Sequence, residues 1–163
     1  MPTTMTAHAT VADPGGHARV DVLTGTGFTI TFDIFEEGAV RGGPSPTESI
    51  LAALAACTSM DVASILRKKR QPAASYRISV TGEKTDEHPQ VYTSIVIEHD
   101  VTGEVEPEAV RRAVELSATT YCPVSAMLSH SVRIEHRYRL RQGDRDEVSA
   151  LVAITGPEGA EVV

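Results

Sequence analysis

The segment from Ser45 to Arg70, SPTESILAALAACTSMDVASILRKKR, constrains this chain more than any other. Its opening tetrad Ser45-Pro46-Thr47-Glu48 has each part of a helix start. The serine hydroxyl accepts from an otherwise free backbone N–H, the proline's fixed φ suits the first helical position, and the glutamate reaches back to the serine's own N–H. The helix is expected to run to about Lys69, with Pro72 as the stop. Ile50, Leu51, Leu54, Cys57, Met60, Val62, Ile65 and Leu66, interspersed with alanines, make it apolar on nearly every side until Arg67-Lys68-Lys69-Arg70. Such a helix belongs at the centre of a fold, and its alanine faces let another helix approach closely. The basic run complements the helix C-terminus and stays in water.

Around this helix the periodicity switches to two. Phe28, Ile30, Phe32 and Ile34 alternate with Thr29, Thr31 and Asp33, and Ala18 to Leu23 is a possible partner strand across Thr24-Gly25-Thr26-Gly27. Three further strands are expected around Tyr76-Ile78-Val80, around Val91-Thr93-Ile95-Ile97, and from Val132 to Leu140, where Arg133, Glu135, Arg137 and Arg139 form the wet face. Between the last two, Pro107 to Ala118 is a second helix, and Cys122-Pro123 caps a short third one through Leu128. The order β, β, long α, β, β, α, short α, β predicts an α+β fold, with an antiparallel sheet and its helices on one face. Residues 1–16 are expected as a flexible leader and 17–141 as one folded domain. Residues 142–163 would be an acidic C-terminal tail with one apolar island, Val148 to Ile154.

The balance of 15 basic against 22 acidic residues, a net charge of −7, argues against nucleic acid or anionic lipid as partner. No uninterrupted run reaches the roughly 20 apolar residues of a membrane span. The N-terminus MPTTMTAHATVADPGG lacks the basic and apolar regions of a signal peptide, so a cytoplasmic location away from membranes is expected. With 4% aromatics and no tryptophan, the core must be aliphatic.

Only two cysteines occur, without a CxxC pair, which excludes a disulfide scaffold and a four-cysteine zinc site. His17, His88, His99, His130 and His136 show no metal spacing, and His136 reads as a packed core histidine. A site of Cys57, Cys122 and His130 is geometrically conceivable but has no local signature, so neither metal nor cofactor is expected.

Cys57 lies mid-helix, about 15 Å from the helix start at 1.5 Å per residue, beyond the dipole's reach. A reactive Cys57 needs a cation from elsewhere; without one it is a small packed hydrophobe. Cys122, followed by Pro123, sits at a helix N-cap, where free N–H groups lower a thiol pKa and improve its leaving ability. Its alternative role is that of a capping thiol without redox chemistry.

The segment GGPSPTESILAALAACTSMDVASILRKKR, followed 65 residues after its cysteine by YCPVSAMLS and the strand VRIEHRYRL, resembles the OsmC/Ohr group of osmotically inducible and organic hydroperoxide resistance proteins. The resemblance covers roughly Arg19 to Leu140 and rests on two motifs that are specific as a pair. One is a cysteine in an alanine-rich helix opened by Pro-Thr-Glu; the other is a Cys-Pro-x-Ser turn. The resemblance implies an OsmC-like domain over 17–141, in an intertwined homodimer with antiparallel sheets, a long central buried helix, and active sites at the subunit interface.

It also implies a thiol peroxidase acting on organic hydroperoxides. Cys57 would become a sulfenic acid, Cys122 would condense with it to a disulfide, and a dithiol or thiol reductant would reset the pair. The group activates its attacking cysteine with an arginine held by a glutamate. Arg41 is nearest to the helix start in sequence, whereas Arg19 better matches the region that supplies the arginine. Glu48 either holds that arginine or only closes the cap, since the group's acid falls one position earlier, on Thr47. Asp61, one turn after Cys57, departs from the pattern, because a carboxylate there disfavours an anion on the neighbouring sulfur. An alternative reading is a non-catalytic OsmC-like protein binding an apolar or lipid-like ligand. A third is a structural or metal-holding module.

Overall fold

Three strands, β1 (Ala7–Val11), β2 (Val20–Thr24) and β3 (Thr29–Phe32), pair antiparallel in chain order. They belong to the first of two units, residues 1–50 and 51–163, in a computed structural model that describes residues 3–12, 15–16, 19–34, 38 and 40–163. The expected β2–β3 hairpin forms: Thr24 N donates to Phe28 O at 2.8 Å, and Gly27 supplies a φ of 91°. Ala18, Phe35 and His17 lie outside the described residues.

Strand β1 corrects the reading of residues 1–16 as a flexible leader, for it pairs from Ala7 beside Thr24 to Val11 beside Val20. All five of its residues are exposed, so ladder hydrogen bonds rather than burial hold it, and no apolar period marked it in the sequence. After β3 the chain is pinned back onto the sheet. Gly42 N donates to the buried Asp33 Oδ2 at 2.7 Å, and Asp33 N donates to Pro44 O at 3.1 Å. Gly43 has no room for a side chain, since a Cβ there would stand 2.1 Å from Thr31 O.

Helix α1 (Pro46–Lys68) starts in the first unit and continues through the second. The second unit's sheet runs β4 (Ser75–Lys84), β5 (Tyr92–Thr102), β6 (Arg133–Arg141), β7 (Val148–Gly156) and β8 (Gly159–Val162). Between β5 and β6 come α2 (Pro107–Leu116), a π-helical turn (Ser117–Tyr121) and α3 (Pro123–Ser129).

The expectation of a wholly antiparallel sheet fails at one pair. β5 and β6 are parallel, from Ser94 beside Arg133 to Thr102 beside Arg141, because the intervening helices form a crossover that returns the chain in the same direction. The region read as an acidic tail holds β7, with Val152 and Ala153 buried, and β8. The outer face of the sheet carries ion pairs such as Arg139 with Glu98 at 2.9 Å, while Ile134, His136, Tyr138 and Leu140 point inward.

α1 departs from the expectation of burial on all sides. Only Leu54, Thr58, Val62 and Leu66 are buried, one stripe at every fourth residue, while Met60 is 72% exposed. A single sheet offers such a helix one face to pack on. By length and composition α1 is also apolar enough to cross a membrane, which a count of uninterrupted apolar residues missed because Thr58, Ser59 and Asp61 break the run. Its buried stripe is nonetheless part of the sheet's core. Leu54 packs with Ile95, Ile97, Cys122, Val132 and Ile134, and Val62 and Leu66 join a second cluster with Val101, Val114 and Leu140.

Candidate active site

A polar residue interrupts the buried face in each of three elements: Thr58 between Leu54 and Val62, His99 between Ile97 and Val101, and His136 between Ile134 and Tyr138, with His99 beside Tyr138 and His136 beside Ile97 across the β5–β6 ladder. Of the two cysteines, Cys122 belongs to the apolar cluster of Leu54, Ile95 and Ile97, and Cys57 packs against that cluster. The π-helical turn sets the first of them, since Cys122 N donates to Ser117 O at 3.1 Å, five residues back, which widens the turn. Cys122 then takes φ −75° and ψ 104°, and as N-cap of α3 its Sγ accepts from Ser125 N at 3.3 Å. Cys122 is buried, while Cys57 on α1 is half-buried, and both are free thiols.

The sulfurs of Cys57 and Cys122 and a carboxylate oxygen of Asp61 all lie within 4.8 Å of one another. The structure thus brings together the two cysteines singled out in the sequence and adds Asp61, rather than His130, as their polar neighbour. Ser117 Oγ donates to Asp61 Oδ2 at 3.2 Å and stands 2.9 Å from Thr58 Oγ1, which ties α1 to the π-helical turn.

The N-cap position of Cys122 is as expected, but its thiol pKa moves the other way, pushed up to about 12. Burial is the main cause and the hydrogen bond with Cys57 the second; the N–H groups of Ser125 and Val124 offset them only in part. Cys122 is therefore a protonated, enclosed thiol at neutral pH, and Cys57 is the sulfur that solvent reaches.

Tyr76 Oη and His99 Nδ1 are 2.6 Å apart, with the rings stacked at a centroid distance of 5.9 Å. Burial and the charge of Asp61 push the Tyr76 hydroxyl up. His136 Nε2 lies 3.2 Å from Thr155 Oγ1, which makes it the packed core histidine its strand position predicts. Burial lowers His99 to about 3, helped by the charge of His136, and lowers His136 to about 4. His99 Nε2 and His136 Nδ1 have no hydrogen-bond partner among the described residues. Sequence reasoning missed His99, although its even spacing from Ile95 and Ile97 placed it on the inner face.

Arg19, Arg41 and Glu48 belong to the first unit, Cys57 and Cys122 to the second. The capping box forms as expected: Ser45 N donates to Glu48 Oε2 at 2.7 Å, and Glu48 N donates to Ser45 Oγ at 3.3 Å. The other carboxylate oxygen, Oε1, stands 3.6 Å from Arg41 Nη1, so Glu48 caps the helix and holds an arginine at once. These Ser45 hydrogen bonds, and then Arg41, hold the Glu48 carboxyl below the usual carboxylate range. Arg19 pairs instead with Asp21, at 3.9 Å.

The sequence model of the OsmC-like protein family matches residues 37–137. Protein YhfA of Escherichia coli strain K12 is 42% identical over 98 residues, 60% of this chain and 73% of that protein. The crystal structure of a hypothetical protein from Aquifex aeolicus VF5 superposes with a TM-score of 0.72 at 27% identity, covering 88% of this chain and all of that one (100%). An organic hydroperoxide resistance protein from Legionella pneumophila shares the fold at a TM-score of 0.56 and 18% identity, over 86% of this chain and 96% of its own.

Proposed function

Because this chain belongs to the OsmC-like protein family, we propose that it is a thiol peroxidase that reduces organic hydroperoxides with Cys57 as attacking and Cys122 as resolving sulfur. The observation that carries this reading is the pairing of a half-buried thiol with a buried one, both free and within 4.8 Å. The name of the Legionella pneumophila relative supplies the substrate class.

In the first step the Cys57 thiolate attacks the distal peroxide oxygen. An S–O bond forms, the O–O bond breaks, and the leaving alkoxide takes a proton to become the alcohol. Cys57, now a sulfenic acid, is oxidised by two electrons. Cys122 then attacks that sulfur, the S–S bond forms, and water leaves with the Cys122 proton. A dithiol or thiol donor returns two electrons by exchange. The raised pKa of Cys122 keeps it from competing as the first nucleophile. Arg41 is the candidate for the cation that stabilises the Cys57 thiolate, because Glu48 holds it, whereas Arg19 is paired with Asp21.

The working form is a homodimer in the cytoplasm. Ala52, Ala53, Ala56, Met60 and Ala63 leave an exposed apolar stripe on α1 that a second subunit would cover.

The test is consumption of an organic hydroperoxide by the reduced protein, with Cys57→Ser as control and mass spectrometry of the product. Loss of two thiols with a Cys57–Cys122 bond is expected. Overoxidised Cys57 beside an intact Cys122 thiol would overturn the two-step mechanism. One observation favours a second reading: the Asp61 carboxylate opposes an anion on the neighbouring sulfurs. Peroxide left unconsumed by the reduced protein would make this chain a non-catalytic OsmC-like protein that binds an apolar ligand.

A further inference from the structure

We propose that Cys57, Cys122 and Asp61 form a binding site for a thiophilic divalent cation of the zinc type. The peroxidase mechanism uses both sulfurs but has no role for Asp61. Two thiols and a carboxylate in a half-dry cluster are, however, a ligand set that soft and borderline dications select. A dication also resolves the electrostatic conflict, since it favours thiolate and carboxylate together where each anion alone disfavours the other.

The geometry is close to what such an ion needs. With Zn–S near 2.3 Å and Zn–O near 2.1 Å, ligand atoms on one tetrahedral ion stand about 3.5–3.8 Å apart. The three atoms here already lie within 4.8 Å of one another, so closure by about an ångström seats the ion. They come from two elements, α1 and the N-cap of α3, with Cys57 and Asp61 one helical turn apart on α1.

The surroundings supply the outer hydrogen bonds that orient metal ligands. Ser117 Oγ donates to Asp61 Oδ2 at 3.2 Å and is itself 2.9 Å from Thr58 Oγ1. Ser125 N donates to Cys122 Sγ at 3.3 Å, an interaction that strengthens when the sulfur carries charge. Asp61 also lines a surface depression with Ser64, Lys68 and Tyr121, which gives solvent and ions a way in, and water completes the fourth position.

The test needs no peroxide, so its outcome is independent of the peroxidase reading. Reduced, full-length protein is titrated anaerobically with Co²⁺ as the spectroscopic probe, followed by competition with Zn²⁺. One equivalent of cobalt is expected, with thiolate-to-cobalt charge-transfer absorption that Zn²⁺ abolishes. Cys57→Ser and Cys122→Ser should each remove part of that absorption, and Asp61→Asn should weaken binding by at least about tenfold. His130→Ala should leave binding unchanged. Circular dichroism of each variant separates loss of the site from loss of the fold. Cobalt bound without charge-transfer absorption, or bound by a folded Asp61→Asn protein with wild-type affinity, would overturn the assignment.

Discussion

Lowering the pH from 7.5 to 5.5 should cost this protein about 2.7 kcal/mol of stability through His99 and His136 alone. Both rings are fully buried, and burial lowers them to about 3 and about 4. An unfolded histidine titrates near 6.5, so within this window the unfolded chain takes up protons that the folded chain refuses. A histidine whose folded pKa is depressed leaves stability intact above its unfolded pKa, and stability falls as pH drops through about 6.5 toward the folded value. Each ring contributes RT times the logarithm of the unfolded binding polynomial, about 1.4 kcal/mol between the two pH values. That is a large share of the roughly 5–15 kcal/mol typical of a domain.

Among the described residues, the titratable neighbours of the pair include Tyr76, stacked on His99, Tyr138, beside His99 across the β5–β6 ladder, and Asp61, whose charge reaches Tyr76. The Ser45 hydrogen bonds at Glu48, and the arginines beside Glu108 and Glu135, hold these carboxyls below the usual carboxylate range and so below the window. Urea denaturation of the reduced protein at pH 7.5, 6.5 and 5.5 measures the loss. His136→Asn should remove about half of the pH dependence, and pairing it with His99→Gln should remove nearly all. A wild-type loss below about 0.7 kcal/mol, or an unaltered loss in the double variant, would refute the reasoning, because it would mean that these rings are protonated in the fold.

Ser117→Ala should cost about 1–3 kcal/mol in denaturant titrations, because the buried Thr58 hydroxyl loses its partner, whereas adding Thr58→Val should recover much of that loss. Ser45→Ala should cost about 1 kcal/mol by removing the hydroxyl that accepts from Glu48 N, read as a lowered urea midpoint with unchanged m. Arg41→Ala should slow peroxide consumption by the reduced protein more than Arg19→Ala does; equal rates would separate Arg41 from activation. Met60→Lys should shift the sedimenting species toward monomer, and an unchanged dimer would place the interface elsewhere.

What the sequence made legible follows from how local each signal is. The capping tetrad, the β2–β3 hairpin and the alternation of β6 are set by neighbours within a few residues, and each forms as read. The parallel pairing of β5 and β6 depends on where a thirty-residue crossover returns, and no local pattern carries that. β1 escaped because an exposed strand has no apolar period, and β7 because its apolar island followed charged residues that read as a tail. For the site, the two cysteines were legible as a motif pair. The proximity of Asp61 to Cys57 was legible as one helical turn, but its approach to Cys122 was not, since that depends on the π-helical turn. The direction of the Cys122 shift was missed for a related reason: capping is local, whereas the burial that outweighs it comes from Leu54, Ile95, Ile97, Val132 and Ile134.

Ser117 links the two halves of the site through different atoms. Its carbonyl accepts from Cys122 N and closes the turn that places the Cys122 sulfur, while its hydroxyl holds Asp61 and meets Thr58. Thr58 belongs to the buried stripe of α1, and Cys57 and Asp61 lie one residue before Thr58 and Val62 along the same helix. The stripe that anchors α1 to the sheet therefore sets the rotation at which Cys57 and Asp61 emerge from it. A register change in α1 would move both together and leave Cys122 where the turn holds it. The thiol-to-thiol distance is thus governed by the packing of α1, and the buried Thr58–Ser117 hydrogen bond fixes that packing at the level of the sulfurs. An apolar pair at these two positions could hold the helix as firmly, but it would release Asp61, so the hydroxyl of Ser117 bears on the placement of Asp61 as well as on the packing of α1.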